Sequence, residues 1–290
     1  MLISIIITNF NSELYIERCI NSLLCQLNGE TELIIIDDCS TDNTEEILKS
    51  INDSRIKYVK LEKNSGACIA RNKGIELSTG EFIAFNDSDD LWITTKLEKQ
   101  LCFLKNYNAD IVICKMECRT PKNKFIHNFP NIDQNKQISY EEILKYNCAS
   151  TQTIFGKSEC FGNVMFDTRM PGLQDWDEVL RLSQKYRIFY QNEILVNTFF
   201  QKDSISTHPE KAVLAMQKIF EKHKDAILSD PAIVESFFKK KASFVCKTGK
   251  NPKEEMKMIL KYNPSAGTFI KYMLAVFNLY TLFFKIKNSL

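Results

Sequence analysis

Leu2-Ile3-Ser4-Ile5-Ile6-Ile7-Thr8-Asn9-Phe10-Asn11 is the stretch on which the fold turns. Its apolar part, Leu2–Ile7, is short and rich in isoleucine, as expected of a parallel strand buried on both faces. It ends in polar residues, of which Asn11 or Ser12 can cap a helix. Ile16, Cys19, Ile20, Leu23, Leu24 and Leu27 then recur at three- and four-residue steps, a helix with one buried face that Gly29 ends. The unit repeats: strand Leu33–Ile36, a helix carrying Ile47, Leu48 and Ile51 capped within Ser40–Asp42, and strand Ile56–Leu61. Helix Ala67–Leu77, closed by Gly80, and strand Phe82–Phe85 complete the run. Unbroken alternation over the first 86 residues predicts a doubly wound, mostly parallel α/β sheet with right-handed crossovers.

Beyond Leu91 the alternation is irregular. Helices are expected at Thr94–Asn106, Glu141–Tyr146, Gln174–Tyr186 and Glu210–His223, and strands at Ile111–Cys114, Thr153–Phe155 and Leu195–Phe200. Thr120–Lys136 reads as an exposed polar loop, and the remainder is helical and Lys-rich.

The charge is divided along the chain. From Phe237 onward eleven lysines face only Glu254 and Glu255, about +9, which leaves the preceding residues at about −7 within a total of +2. An acidic body argues against a nucleic-acid partner, and a basic tail suits an anionic membrane. The ten cysteines show no paired spacing, and with three histidines they do not outline a zinc site. Leu2–Ile7 is too short for a cleavable signal, so free thiols and a cytoplasmic location are expected.

Ligands of a parallel sheet bind beyond the carboxyl ends of its strands. Three predicted strands end in polar clusters there: Thr8–Asn11, Asp37-Asp38, and Asn86-Asp87-Ser88-Asp89-Asp90. Clustered carboxylates repel one another and become useful when a divalent cation and a diphosphate share the site; Mg²⁺ or Mn²⁺ takes one or two carboxylates plus phosphate oxygens and water. Any one of these aspartates could instead be a cap or turn residue, and Asp42 reads as such.

With these residues in view the sequence resembles family 2 glycosyltransferases of the GT-A fold. The resemblance rests on Ile5-Ile6-Ile7-Thr8-Asn9-Phe10-Asn11, Ile35-Ile36-Asp37-Asp38-Cys39-Ser40-Thr41-Asp42, Asn64-Ser65-Gly66-Ala67 with Ala70-Arg71-Asn72-Lys73-Gly74, and Asp87-Ser88-Asp89-Asp90-Leu91-Trp92. Gln174-Asp175-Trp176-Asp177 with Leu180-Arg181-Leu182 is similar to the family's acceptor-side motif, and all five occur in the family's order over residues 2–206. The resemblance implies a nucleotide-sugar-binding half at 1–90, an acceptor-binding half at 91–206 and a helical C-terminal extension at 207–290. It implies that Thr8 contacts the base, Phe10 stacks on it, and Asp38 accepts its ring N–H, with Asn11 and Ser88 also on the donor side. Arg71 would face diphosphate or carboxylates, Asp89 would bind Mn²⁺ or Mg²⁺, and Asp87 would reach the ribose or a metal-bound water. Asp175 matches the general base, and Gln174 and Trp176 the acceptor side, although Trp176 equally suits a core aromatic.

Some positions depart from the family pattern: Thr8 for Pro, Phe10 for Tyr, Cys39 for Gly and Gln174 for Glu, while Gln201 stands where many members place a His before a Ser-x-Ser (here Ser204–Ser206). The implied reaction is inverting transfer from a nucleotide diphosphate sugar, UDP being the expected nucleotide, to a hydroxyl of an acceptor glycan. A polyprenyl-diphosphate-linked acceptor of the O-antigen or capsule kind would account for the tail. There, Phe269–Phe284 spans about 24 Å, short of the roughly 30 Å hydrocarbon core, and its Lys271, Asn278, Thr281 and Lys285 form one polar stripe. An interfacial helix on the inner face of the cell membrane is expected, assisted by Lys239-Lys240-Lys241; packing on the body or in a homodimer is the alternative. Rival readings are a haloacid dehalogenase-type phosphatase with Asp87 as nucleophile, a sugar-nucleotide pyrophosphorylase, and a non-catalytic glycan-binding relative. Leu91 two residues past the second Asp, the absence of Gly or a cation in Thr8–Asn11, and the intact Asp89 and Asp175 count against them in turn.

Overall fold

The computed structural model describes residues 2–26, 30–119, 124–127, 133–199 and 208–287. The expectations for Gly29, Gln201 and Ser204–Ser206 lie outside these residues. The first half runs β1 (Ile3–Asn9), α1 (Ile16–Leu24), β2 (Thr31–Asp37), α2 (Thr44–Ser50), β3 (Ile56–Lys60), α3 (Ala67–Leu77) and β4 (Phe82–Asp87). There follow β5 (Leu91–Trp92), α4 (Lys96–Asn106), β6 (Ile111–Arg119), β7 (Lys124–His127), β8 (Lys136–Gln137), α5 (Tyr140–Lys145), β9 (Ile154–Lys157), α6 (Ser158–Asn163), α7 (Gln174–Ser183) and β10 (Ile188–Phe199). Helices α8 (Pro209–Ser229), α9 (Pro231–Lys247), α10 (Lys253–Tyr262), α11 (Ala266–Val276) and α12 (Tyr280–Lys287) complete the described chain.

One sheet carries the strands in the order β3-β2-β1-β4-β9-β6-β10-β5, with β7 on β6 and β8 on β10. β1 to β4 are parallel, as expected from their continuous apolar runs. The other half is mixed: β9 is antiparallel to both β4 and β6, while β10 is parallel to β6. The core beneath the parallel half holds Ile5, Ile7, Ile16, Cys19, Ile20, Leu23, Leu33 and Ile35, all fully buried.

α3 lies on the opposite face, and Gly74 sets its distance from the sheet. A Cβ at Gly74 would sit 2.3 Å from Ile6 Cγ2, so any larger residue would push the helix off β1. Gly80 does not close α3, which ends at Ser78 in extended backbone. It lies instead where a Cβ would come within 2.7 Å of Ser4 N on β1.

Other departures are local. Neither Asn11 nor Ser12 caps α1; their side chains bond to Thr41 and Asn9 instead, and the helix begins at Ile16 without a side-chain cap. Within the polar stretch expected to be a loop, β7 pairs with β6, continuing a strand five residues longer than its apolar core. α6 was not apparent from periodicity, being only one and a half turns long.

The chain divides into two compact units. The first comprises the sheet, with residues up to 139, 148–168 and 175–199; the second holds 140–147, 169–174 and the described residues from 208 on. In the second unit α9 packs against α5, α8, α10 and α12, and α11 against α10 and α12; Phe220 of α8 meets Phe237 and Phe238 of α9 edge to face or tilted. α8 bends at His223, where a ring nitrogen lies 2.7 Å from Tyr140 Oη. The helix expected over Phe269–Phe284 is broken. α11 ends at Val276, Asn278 takes φ +60°, and α12 starts at Tyr280. At the break Ala275 O accepts from Asn278 N at 3.0 Å and also from the Asn251 amide at 2.6 Å, and the same amide reaches the Asn278 side-chain oxygen. No helix among the described residues is long and apolar enough to cross a membrane.

Candidate active site

The strand order reverses at β1. β2 and β3 lie on one side and β4 on the other, so the crevice of the topological switch opens between the carboxyl ends of β1 and β4. In register there are Thr8 and Asp87. Thr8 Oγ1 is 3.4 Å from Asp87 Oδ1, and Arg71 from α3 donates to the same oxygen at 3.0 Å. Arg71 is itself buried, with its guanidinium 5.4 Å from the centre of the Phe166 ring. Asn72 holds Phe166 by two backbone bonds, its amide donating to Phe166 O and accepting from Phe166 N at 2.9 and 3.0 Å. The segment Arg71-Asn72-Lys73-Gly74 is thus accounted for: a cation at the crevice, a clamp for the ring beneath it, and a glycine for close approach.

The turn after β4 concentrates negative charge. Ser88 and Asp90 are buried and Asp89 half-buried. Burial, followed by the neighbouring Asp87, pushes the Asp89 carboxyl up to about 6; Asp90 is raised well above the usual carboxylate range by burial and then by Asp89 and Asp87. From below, Cys19 Sγ donates to Asp87 O at 3.6 Å and accepts from the Asn86 amide at 3.3 Å, which fixes the turn's backbone.

The turn after β2 is differently made. Asp37 accepts from Ser40 N, Ser40 Oγ and Tyr58 Oη at 2.6–2.8 Å. Asp38 accepts from Ser65 N at 2.6 Å and Gly66 N at 2.7 Å, so both of its oxygens hold the loop that enters α3. Gly66 needs φ +91° for this, and Cys39 adopts φ +68°, a left-handed conformation that favours the glycine common at that position in the family. Phe10 crests the crevice, half exposed and with no ring contact among the described residues. Asn11, also at positive φ, accepts from Thr41 N at 2.8 Å.

Asp175 stands in the first turn of α7 and accepts from Trp176 N at 2.8 Å, in the favourable field of the helix N-terminus. Trp176 has no exposed surface, which matches its core-aromatic reading: it supports α7 from beneath. Arg181 holds the fully buried Asp177 at 2.9 Å and also Glu178. Gln174 donates to Met170 O at 3.3 Å.

Arg18 was missed by sequence reasoning. Its guanidinium donates to Asp89 O at 3.2 Å and lies 4.3 Å from the centre of the Phe199 ring. Its only signal was a cation on the polar face of α1, indistinguishable from a solvated charge. The carboxylate-rich turn fits a divalent cation by its donor chemistry, since raised carboxyls with Arg71 and Arg18 as nearby cations are short of positive charge. Among the described residues no three His, Cys, Asp or Glu side chains converge as a cage.

A doubly wound sheet with carboxylates and an arginine at its switch point is an arrangement of GT-A architecture. Residues 4–166 match the family model described as glycosyl transferase family 2. TuaG of Bacillus subtilis (strain 168), named as a teichuronic acid biosynthesis glycosyltransferase, is 36% identical over 73% of this chain and 84% of its own. The Escherichia coli protein WfaP, named as a UDP-Glc:alpha-D-GlcNAc-diphosphoundecaprenol beta-1,3-glucosyltransferase, is 31% identical over 75% and 85%. The crystal structure of S. aureus TarS 1-349 in complex with UDP-GlcNAc superimposes with a TM-score of 0.67 at 20% identity, covering 94% of this chain and 90% of that one. The chain belongs to glycosyl transferase family 2 and is a glycosyltransferase. Family membership sets aside the phosphatase and pyrophosphorylase readings.

Proposed function

We propose that the protein transfers a sugar, with inversion, from a UDP-sugar to a hydroxyl of a polyprenyl-diphosphate-linked acceptor glycan in surface polysaccharide assembly. The observation that carries this is Asp87 at the β1/β4 switch, tied to Arg71 and followed by the crowded Asp89 and Asp90. The names of TuaG and WfaP support the pathway class, the UDP donor and the lipid-linked acceptor. Residues 1–90 bind the donor and 91–206 the acceptor, while 207–290 form the extension. Thr8, Phe10 and Asn11 receive the base, with Phe10 stacking on it, and Asp38 and Ser88 border the nucleotide. Asp89, with Asp87, would hold Mn²⁺ or Mg²⁺, which when bound supplies positive charge beside the leaving diphosphate. Arg71 orients Asp87 and adds a fixed cation to the same charge. Asp175 takes the proton from the attacking hydroxyl, and Arg181 with Trp176 fixes the helix that carries it; Gln174 borders the acceptor. A lipid-linked acceptor puts the working enzyme on the cytoplasmic face of the membrane. The test is calorimetric titration of UDP with and without Mn²⁺: metal-dependent binding that Asp89→Ala removes is the expected result, and equal binding in EDTA would refute the metal assignment.

A further inference from the structure

α11 presents two opposed faces. Thr268 and Ala275, seven residues apart, form its buried stripe. Ile270 and Phe277, also seven apart, lie two positions on, about 200° around the helix. Phe277 is 65% exposed, and across the Asn278 turn Leu279 and Leu282 are about half exposed as well. Single exposed apolar residues are ordinary, but a group gathered at one turn is not.

Beside this turn lies the loop between α9 and α10. Thr281 Oγ1 donates to Lys250 O at 3.4 Å, and Asn251 bonds both Ala275 O and Asn278, so loop and turn are fastened together. Lys247, Lys250 and Lys253 bracket that loop, which turns at Gly249 with φ +81°. All three are exposed, and none forms an ion pair among the described residues. By contrast Lys239 and Lys241, which the sequence singled out, are paired with Glu235 and Glu255.

We propose that the α9–α10 loop and the α11–α12 turn together dock on an anionic lipid bilayer. Phe277, Leu279 and Leu282 enter the headgroup region, and Lys247, Lys250 and Lys253 meet lipid phosphates. This takes its purpose from the lipid-linked acceptor proposed above, but its evidence from the second unit alone. Charge complementarity selects the occupant: a symmetric contact with a second copy would set these lysines against lysines.

The test is sedimentation of the full chain with phosphatidylcholine vesicles, with and without phosphatidylglycerol. Binding only to the anionic vesicles is expected. Combined Lys247→Gln, Lys250→Gln and Lys253→Gln should lower the partition coefficient about a hundredfold at low salt. Combined Phe277→Ser, Leu279→Ser and Leu282→Ser should abolish the binding that survives high salt. All six side chains are exposed, and unchanged melting and unchanged UDP binding check that the variants fold. The proposal is overturned if the full chain ignores anionic vesicles or if the lysine variant binds as well as the parent. It is also overturned if the apolar variant keeps its vesicle binding and instead converts a dimer to a monomer by light scattering. Intact vesicle binding without sugar transfer would refute the activity and leave the docking surface standing.

Discussion

The turns after β2 and β4 flank the same strand, and each carries adjacent aspartates, yet their physics is opposite. In Asp37-Asp38 every carboxylate oxygen accepts a backbone amide or hydroxyl, so the charge is used up in holding loops. In Asp89-Asp90 the carboxyls are crowded by one another and pushed upward by burial. The first pair builds the crevice; the second leaves unmet negative charge inside it. A sequence shows two Asp-Asp pairs and does not distinguish them.

The comparison can be tested by substitution. Asp175→Asn removes a carboxylate belonging to neither pair, and is expected to lower turnover about 10²–10⁴-fold with donor affinity nearly unchanged. Activity within a few-fold of the parent would transfer the role to another group. Asp89→Asn should lower kcat/KM about 10²–10³-fold and abolish the response to added Mn²⁺, with denaturant stability unchanged. Asp38→Asn should do the reverse: its amide donors would meet the N–H of Ser65 or Gly66, costing about 1–3 kcal/mol in urea unfolding. Equal stability losses for Asp38→Asn and Asp89→Asn would erase the distinction.

A last expected effect, seen only in alkaline solution, concerns a buried cation without a counter-charge. Lys96 is fully buried, bonded to Gln100 Oε1 at 2.7 Å and 3.8 Å from the Trp92 ring centre, and burial lowers its pKa to about 8 from 10.5. Below pH 8 both folded and unfolded chains hold the proton. Between pH 8 and 10.5 the unfolded chain binds a proton the folded one has released, so stability rises with pH. The gain should be at most about 3 kcal/mol and absent in Lys96→Met, as read from urea midpoints across that window.

The parallel half of the sheet was legible because burial on both faces leaves unbroken apolar runs such as Ile5–Ile7 and Leu33–Ile36. The mixed half was only partly so: β5 and β8 are two residues long, and pairing of that length leaves no periodic trace. Among site residues, Asp87, Arg71 and Thr8 could be read and do converge. Arg18 could not be, since its contacts reach a backbone carbonyl and a ring distant in sequence. The break at Asn278 escaped as well, since the apolar run continues through a residue at φ +60° whose side chain meets Asn251, 27 residues away.

Asp38 has a thermodynamic consequence for the ligand. Because it already grips Ser65 and Gly66, that wall of the crevice is ordered before any nucleotide arrives. Association then loses little loop entropy there, and the heat-capacity change on binding UDP should reflect the area covered rather than a loop folding over it.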